Sequence, residues 1–292
     1  MPDYASWSLW LKVWDWPIQA QVLVGLAVLV GLWALGQRRM AHAPGAEAPG
    51  LVVGRRLSFM AGTVVVLFAI QSPIDTLADY SFAWHMLQHT LLMLVVAPLW
   101  VAGGIAPALG EALARLGAYQ AWQRWRWAAG LRRRISQPDI AIGGFTAALW
   151  AGHLPVVWNY AQTHVYFHEA EHLAFLGVSL IYWSLVMGAT QRGAEAGYAR
   201  RIAYLGAGIL SCWVLGIALM FARGPLYRSY LLMPGVTVRG LLSDQVLGSA
   251  IMWAPSMVPF DIVLSVYIQR FLKGHAPADG APGAIAPGLR AP

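Results

Sequence analysis

Long apolar segments alternate with short polar stretches along the chain. Seven of these segments reach about 18 residues or more, close to the ~20 helical residues that cross the ~30 Å hydrocarbon core of a bilayer. Only α-helices and closed β-barrels satisfy all backbone hydrogen bonds in lipid, and the segments are too long for barrel strands. We therefore predict an all-α integral membrane protein with seven transmembrane helices. The predicted spans are 18–36, 57–74, 85–106, 139–158, 166–189, 201–222 and 245–268.

The composition supports this class, because 58% of the residues are hydrophobic and only 11% are Asp, Glu, Lys or Arg, against about 25% in soluble proteins. The spans leave no room for a separate soluble domain. We predict a short outer N-terminal segment (1–17), a seven-helix membrane domain (18–268) and a flexible cytoplasmic tail (269–292).

Basic residues gather in alternate connections between the spans. With the alternation counted along the chain, sixteen of the twenty Lys and Arg residues fall on one side and four on the other. The positive-inside rule then places the N-terminus outside and the C-terminus in the cytoplasm. The net charge of +7 follows from this bias, so we predict contact with membrane lipid and no nucleic-acid site. The segment WQRWRWAAGLRRR fits an interfacial anchor of Trp and Arg side chains.

Histidines cluster at one level of the predicted bundle. Six of the eight fall at or near the outer ends of spans three, four and five. One histidine inside a membrane is more often a helix–helix hydrogen bonder than a ligand. A set that converges from three helices favours function, because ionisable groups are costly inside a bilayer. We therefore predict a metal site near the outer face.

The spacing of these residues predicts two stripes of metal ligands. Residues four apart lie on one face of a helix, and each stripe repeats that step twice. Imidazole suits copper, zinc and iron, whereas thioether suits Cu(I), so copper is favoured. The stripes are His85, His89 and Met93 on span three, and His164, His168 and His172 on span five.

Further groups are expected at the same level. His153 on span four is a ligand candidate, and Pro155 just after it predicts a bend in that span. Glu171 lies three residues from His168 and is interpreted as a ligand or as the acceptor that fixes a histidine tautomer. Asp244, at the start of span seven, is either a further ligand or a helix-dipole partner. The single cysteine, Cys212, predicts neither a disulfide nor a cysteine-based metal site.

The pentapeptide His168-Glu169-Ala170-Glu171-His172 satisfies both the H-E-x-x-H pattern of zinc proteases and its reverse, H-x-x-E-H. One alternative is thus an intramembrane zinc hydrolase, with His168 and His172 as ligands and Glu169 as the general base. A second alternative is a haem-b electron carrier with axial histidines on facing helices.

Three stretches of the sequence resemble the signature blocks of the CtaG-type cytochrome c oxidase assembly factors. They are WHMLQHTLLMLVVAPLWVAGG, WAGHLPVVWNYAQTHVYFHEAEHLAFLGVSLIYW and DQVLGSAIMWAPSMV, in the order and at the spacing of the family. Glu169 matches no block. The residues matched are His85, His89, His153, Pro155, His164, His168, Glu171, His172, Asp244, Gln245, Met252 and Trp253.

The resemblance implies a seven-span protein of the bacterial inner membrane that helps copper-containing terminal oxidases to mature. It implies copper handling on the outer face, with subunits of cytochrome c oxidase and a periplasmic copper donor as partners. We therefore expect a carrier that binds copper and passes it on by ligand exchange, and not an enzyme.

Overall fold

The computed structural model describes residues 18–42, 49–116, 126–233, 235–254 and 257–275. Within these ranges the chain is helical and contains no strand. The predicted N-terminal segment 1–17, most of the predicted tail, and the basic residues Lys12, Arg124 and Arg290 lie outside the described residues.

Fourteen α-helices follow one another along the described ranges, with one π-helical and one 3₁₀ segment between them. The π-helical segment is Leu91–Val96 and the 3₁₀ segment is Arg228–Leu232. The helices are α1 Ala20–Ala41, α2 Pro49–Ile70, α3 Pro73–Ala78, α4 Phe82–Thr90, α5 Ala97–Ala102, α6 Ile105–Arg115, α7 Arg126–Ile135, α8 Pro138–Gly152, α9 Pro155–Ala161, α10 Val165–Val186, α11 Gln191–Glu195, α12 Tyr198–Met220, α13 Val238–Trp253 and α14 Met257–His275.

Six helical segments of the described chain are long and apolar enough to cross a membrane, and a bent pair of helices brings the number to seven. Each overlaps one predicted span, which confirms the all-helical multi-pass class. Which side of the membrane each end faces remains a prediction from the basic residues. The six segments are Ala20–Ala41, Gly50–Ile70, Phe82–Ala102, Val165–Glu195, Tyr198–Met220 and Val238–Lys273.

The bent pair is α8 and α9, which meet at an angle of 72°. The bend predicted beside Pro155 is therefore present. Proline lacks the N–H of a helical residue and pushes the residue before it out of the helical region. Leu154 accordingly has φ −64° and ψ 130°, and Pro155 begins α9. The same break leaves His153 at the end of α8.

The last span differs from its predicted bounds at both ends. Its first helix begins at Val238 instead of 245, and its last helix continues to His275 instead of ending at 268. Hydropathy alone misses these ends because their polar residues, such as Arg239 and Lys273, lower the local average. The first seven residues of the predicted flexible tail are therefore helical.

Span three is the centre of the bundle. In its most apolar stretch 61% of the residues are buried by the rest of the protein, against 17% in each of the first two spans. It consists of α4, the π-helical segment and α5. A π-helical segment inserts one residue into the helix and changes the direction of the side chains on either side of it.

Helices α4 and α13 approach each other closely because α13 carries a glycine where they cross. A Cβ added at Gly248 would overlap the Phe82 ring and would lie 3.1 Å from the Ala83 Cα. This approach brings the middle of α13 against the N-terminus of α4.

We expect a periplasm-dependent reporter to be active when fused after Tyr80 or Gln162 and silent after Arg134 or Gln191. The reason is the sixteen-to-four distribution of Lys and Arg, which places the last two positions in the cytoplasm. Reporter activity in whole cells measures this directly, and a cytoplasm-dependent reporter at the same four positions is the control. The opposite pattern would place the histidine-rich ends of the spans in the cytoplasm.

Candidate metal centre

Four imidazoles converge in the described part of the chain. His85 and His89 come from α4, and His168 and His172 come from α10. One ring nitrogen from each lies within 4.8 Å of one from every other. Both pairs are four residues apart, so each helix presents its two rings on one face. We call this set the four-imidazole group.

The distances within the group fit a bound cation. The Nε2 atom of His85 lies 3.0 Å from Nε2 of His89 and 3.0 Å from Nε2 of His168. A tetrahedral metal with nitrogen ligands at 2.0–2.1 Å would set them about 3.3 Å apart. Hydrogen bonds between the rings satisfy only part of the group, since Nδ1 of His89 and Nε2 of His172 are buried and have no partner among the described residues.

Two polar side chains contact the His85 ring at Nδ1, the nitrogen that points away from the other imidazoles. Its Nδ1 atom lies 2.7 Å from the Gln162 amide nitrogen and 3.1 Å from the Tyr230 hydroxyl. Gln162 also donates to the Tyr230 oxygen, which in turn donates to the Ala78 carbonyl. Burial raises the pKa of Tyr230 well above its usual range, so the phenol stays protonated and can donate. With Nδ1 turned towards these two side chains, Nε2 of His85 faces the other imidazoles. Nε2 has the lone pair that a cation needs when Nδ1 carries the proton and donates it to the Tyr230 oxygen.

Aromatic rings enclose the group. Trp158 on α9 lies 4.4 Å from the His85 ring and 5.8 Å from the His89 ring, between centroids. Phe175 on α10 lies 4.9 Å from His89. Trp158 is fully buried and also packs against Tyr227 and Phe82. These rings keep water away from the imidazoles and fix their orientation.

His153 lies beside the four-imidazole group but is not a member of it. Its ring centroid is 6.5 Å from that of His89, and its Nε2 atom is 3.3 Å from the Met86 sulfur. Its Nδ1 atom is 2.6 Å from the Leu149 carbonyl. The break after α8 removes the helical partner of the His153 carbonyl, and the Tyr227 hydroxyl donates to that carbonyl instead.

The structure does not bring His164 to the group. Helix α10 begins at Val165, so His164 is its N-cap with extended backbone angles, and the four-residue step does not continue through it. Its side chain is exposed, stacks on Tyr160 at 3.8 Å and lies 2.9 Å from the Tyr160 carbonyl. The stripe predicted on span five is therefore shorter by one ligand.

Glu171 and Met93 also lie outside the four-imidazole group. The Glu171 Oε1 atom is buried between α10 and α8, 2.8 Å from where a Cβ on Gly152 would stand, and has no partner among the described residues. Met93 belongs to the π-helical segment, so the predicted i, i+4, i+8 stripe ends at His89. Its side chain lines a separate cavity next to His89.

Asp244 lies outside the four-imidazole group, and its contacts match the second of its two predicted roles, that of a helix-dipole partner. Its carboxylate accepts hydrogen bonds from the Ser81 hydroxyl at 2.7 Å, from the Phe82 N–H at 2.6 Å and from the Ala83 N–H at 3.4 Å. These groups form the N-terminus of α4, where a negative charge is favourable. Helix α13 itself begins six residues earlier, at Val238, with Thr237 as its N-cap. Asp244 is thus a helix-dipole partner, but of α4 and not of its own helix.

Four residues around the group were not predicted from the sequence: Gln162, Trp158, Tyr227 and Tyr230. The two tyrosines lie in the connection between spans six and seven, where the sequence pattern shows mainly three basic residues on the less basic side. Two tyrosines in so short a connection are the available signal, because buried phenols usually have a hydrogen-bond partner. Gln162 has no distinguishing pattern.

Two acidic residues lie in and just after the short helix α3, before α4. Asp75 accepts from Gln88 of α4 at 2.7 Å and from Gln19 at 2.6 Å. Burial, with a smaller contribution from the Asp75 carboxylate, raises the pKa of Asp79 to about 6. Asp75 therefore links the start of span one to α4 through Gln88.

Comparison with known proteins gives one family and three relatives. A family model described as cytochrome c oxidase caa3 assembly factor matches residues 29–273. An uncharacterized protein of Mycobacterium leprae is 25% identical over 230 residues, which are 76% of this chain and 34% of the relative. Uncharacterized proteins of Mycobacterium bovis and Mycobacterium tuberculosis are each 23% identical over 232 residues, again 76% and 34%. The chain thus spans about a third of the length of these relatives. No solved structure matches it.

We expect Asp244→Ala to lower the free energy of unfolding by about 2 kcal/mol, because it removes the cap of a buried helix N-terminus. Thermal unfolding in detergent measures the loss, and Asp244→Asn, which keeps one acceptor oxygen, should lose less. Asp261→Ala, at an exposed position of α14, is the control and should be neutral. Wild-type stability together with lost metal binding in Asp244→Ala would instead identify Asp244 as a ligand.

Proposed function

Because the chain belongs to the family of cytochrome c oxidase caa3 assembly factors, we propose that it binds copper within the membrane and delivers it to a cytochrome c oxidase during assembly. The chain covers only part of its curated relatives, and the proposal concerns the membrane region alone.

The four-imidazole group is the observation that carries this proposal. Its members supply only neutral nitrogen donors, a set that suits copper, zinc, iron or nickel. The Met86 sulfur beside His153 adds a thioether next to the group, and thioethers favour Cu(I) over zinc. The resemblance to CtaG-type proteins, which are associated with copper-containing oxidases, points to the same metal.

The burial of the ligands suggests how the metal is passed on. His85 and His89 are buried, whereas His168 is partly exposed. A cation can therefore exchange one ligand at His168 while the deeper imidazoles still hold it. Metal transfer by ligand exchange requires no chemistry on a substrate, so the proposed protein is a carrier and not a catalyst.

The partners follow from the same reasoning. A periplasmic copper donor would load the site from the outer face of the bacterial inner membrane, and the acceptor would be a copper-containing oxidase subunit that assembles in that membrane. Both are proposals, since the four imidazoles lie at the ends of spans three and five that the basic residues predict to be outside.

Geometry favours this function over a haem carrier. Axial nitrogens on opposite sides of a haem iron lie about 4 Å apart at a metal–nitrogen distance of 2.0 Å. The Nε2 atoms of His85 and His89, and of His168 and His85, are 3.0 Å apart, which suits ligands on one side of a small cation.

The decisive experiment compares two histidines of the same segment. His168→Ala should reduce copper in protein purified from copper-supplemented cells, and with it oxidase maturation, because it removes one of four ligands. Losing an outer-shell partner already costs about 10–100-fold in metal affinity, so a ligand should cost at least as much. His164→Ala, four residues away and exposed, should retain both. Equal copper and equal maturation in the two variants would refute the proposal.

A second experiment concerns Glu169, the general base of the hydrolase alternative. Its Oε1 atom accepts a hydrogen bond from Gln21 of α1 at 3.1 Å, and it is not part of the four-imidazole group. We expect Glu169→Gln to leave copper content and oxidase maturation close to wild type. A general base typically contributes about 10²–10⁴-fold to a rate, so loss of function with normal metal content would favour hydrolysis. Gln21→Ala controls for loss of the contact between the helices.

A further inference from the structure

A small cavity lies next to the four-imidazole group, towards the middle of the spans. Its volume is about 20 Å³, enough for one water-sized species. Thr90 and Leu94 of span three and Phe145 and Leu149 of α8 complete its wall. The side chains with nitrogen or sulfur donors that line it are Met86, Met93, Met252, Cys212, His89 and His153. His85, His168 and His172 do not line it, so His89 is the member of the four-imidazole group that reaches both.

Two lone-pair atoms in this cavity, Nε2 of His153 and the sulfur of Met86, face each other with no hydrogen between them. Nδ1 of His153 donates to the Leu149 carbonyl, which leaves Nε2 of the neutral ring with a lone pair. That atom lies 3.3 Å from the Met86 sulfur, which is also an acceptor. Zinc keeps metal–nitrogen and metal–sulfur distances of about 2.0 and 2.3 Å. A cation at these distances from the two atoms would make a nitrogen–metal–sulfur angle of about 100°, near the tetrahedral value.

His89 supplies a second unsatisfied nitrogen. Its side chain is 3% exposed, its Nε2 atom contacts His85, and its buried Nδ1 atom has no partner in the described part of the chain. A buried nitrogen without a partner is costly, and a cation in the adjacent cavity would satisfy it.

We propose that this cavity is a second metal site, selective for Cu(I), in which the Met86, Met93 and Met252 thioethers act with His153. The neutral ring of His89 has one lone pair, so His89 joins these ligands only while it does not bind an ion in the four-imidazole group. Thioethers are soft ligands that select Cu(I), whereas zinc and Cu(II) favour nitrogen and oxygen donors. The metal enters and leaves as Cu(I), so no electron donor or acceptor is needed. This site deepens the proposed function, because His89 can pass the ion between the four-imidazole group and the sulfur-lined cavity.

The main test uses the full-length protein in detergent, titrated anaerobically with Cu(I) against a chromophoric Cu(I) chelator. We expect two equivalents per chain, and X-ray absorption at the copper edge should show sulfur as well as nitrogen neighbours. Replacing Met86, Met93 and Met252 by Leu, together with Cys212→Ala, should remove one equivalent and all of the sulfur signal. These substitutions nearly conserve volume, and gel filtration together with retained Zn(II) binding at the four imidazoles checks that the variant is folded.

Met60→Leu together with Cys212→Ala is the matched control, since Met60 lies on α2 with 38% of its surface exposed. It should keep both equivalents and the sulfur signal. Sulfur-free copper in the wild type, or two equivalents in the variant without the cavity sulfurs, would overturn the proposal.

The double variant His168→Ala/His172→Ala separates this inference from the proposed function. It should keep the sulfur-bound equivalent while losing the other equivalent and oxidase maturation. If it matures the oxidase normally and still shows sulfur-bound copper, delivery through the four-imidazole group is wrong and the second site stands.

Discussion

The hydrogen bonds between the Asp244 carboxylate and the start of α4 are the contacts on which the geometry of the four-imidazole group depends. Asp244 and Ser81 together satisfy the N–H groups of Phe82, Ala83 and Trp84, which a helix leaves without internal partners. The first turn of the central span is thereby fixed against α13. His85 follows within that turn and His89 one turn later, so their positions are set before any ligand binds.

A second constraint is the need to satisfy polar groups away from water. The break at Pro155 frees the His153 carbonyl, and Tyr227 restores its hydrogen bond. Gln162 and Tyr230 are the hydrogen-bond partners of the Nδ1 atom of His85. The connection of spans six and seven is therefore part of the site. Among the described residues, the buried imidazole nitrogens without a partner are Nδ1 of His89 and Nε2 of His172, and a cation would satisfy a lone pair there.

The features that depend on composition and local periodicity could be predicted from the sequence. The length of the apolar segments predicted the spans, and Pro155 predicted the bend. The four-residue spacing predicted that His85 lies next to His89 and His168 next to His172. The features that depend on where a helix begins or changes pitch could not. His164 lies outside the four-imidazole group because α10 starts one residue after it, and the helix that the Asp244 carboxylate caps is distant in sequence. Tertiary contacts of this kind leave no local pattern.

The π-helical segment of span three ties both proposed sites to the pitch of one short stretch. If Leu91–Val96 took the ordinary α-helical pitch with no residue removed, everything before it would rotate by up to about 100° relative to everything after it, the angle that one residue occupies in an α-helix. With α5 held in the bundle, His85 and His89 would turn away from α10, although every ligand would still be present. The register of this span is thus as much a determinant of metal binding as the identity of the donors.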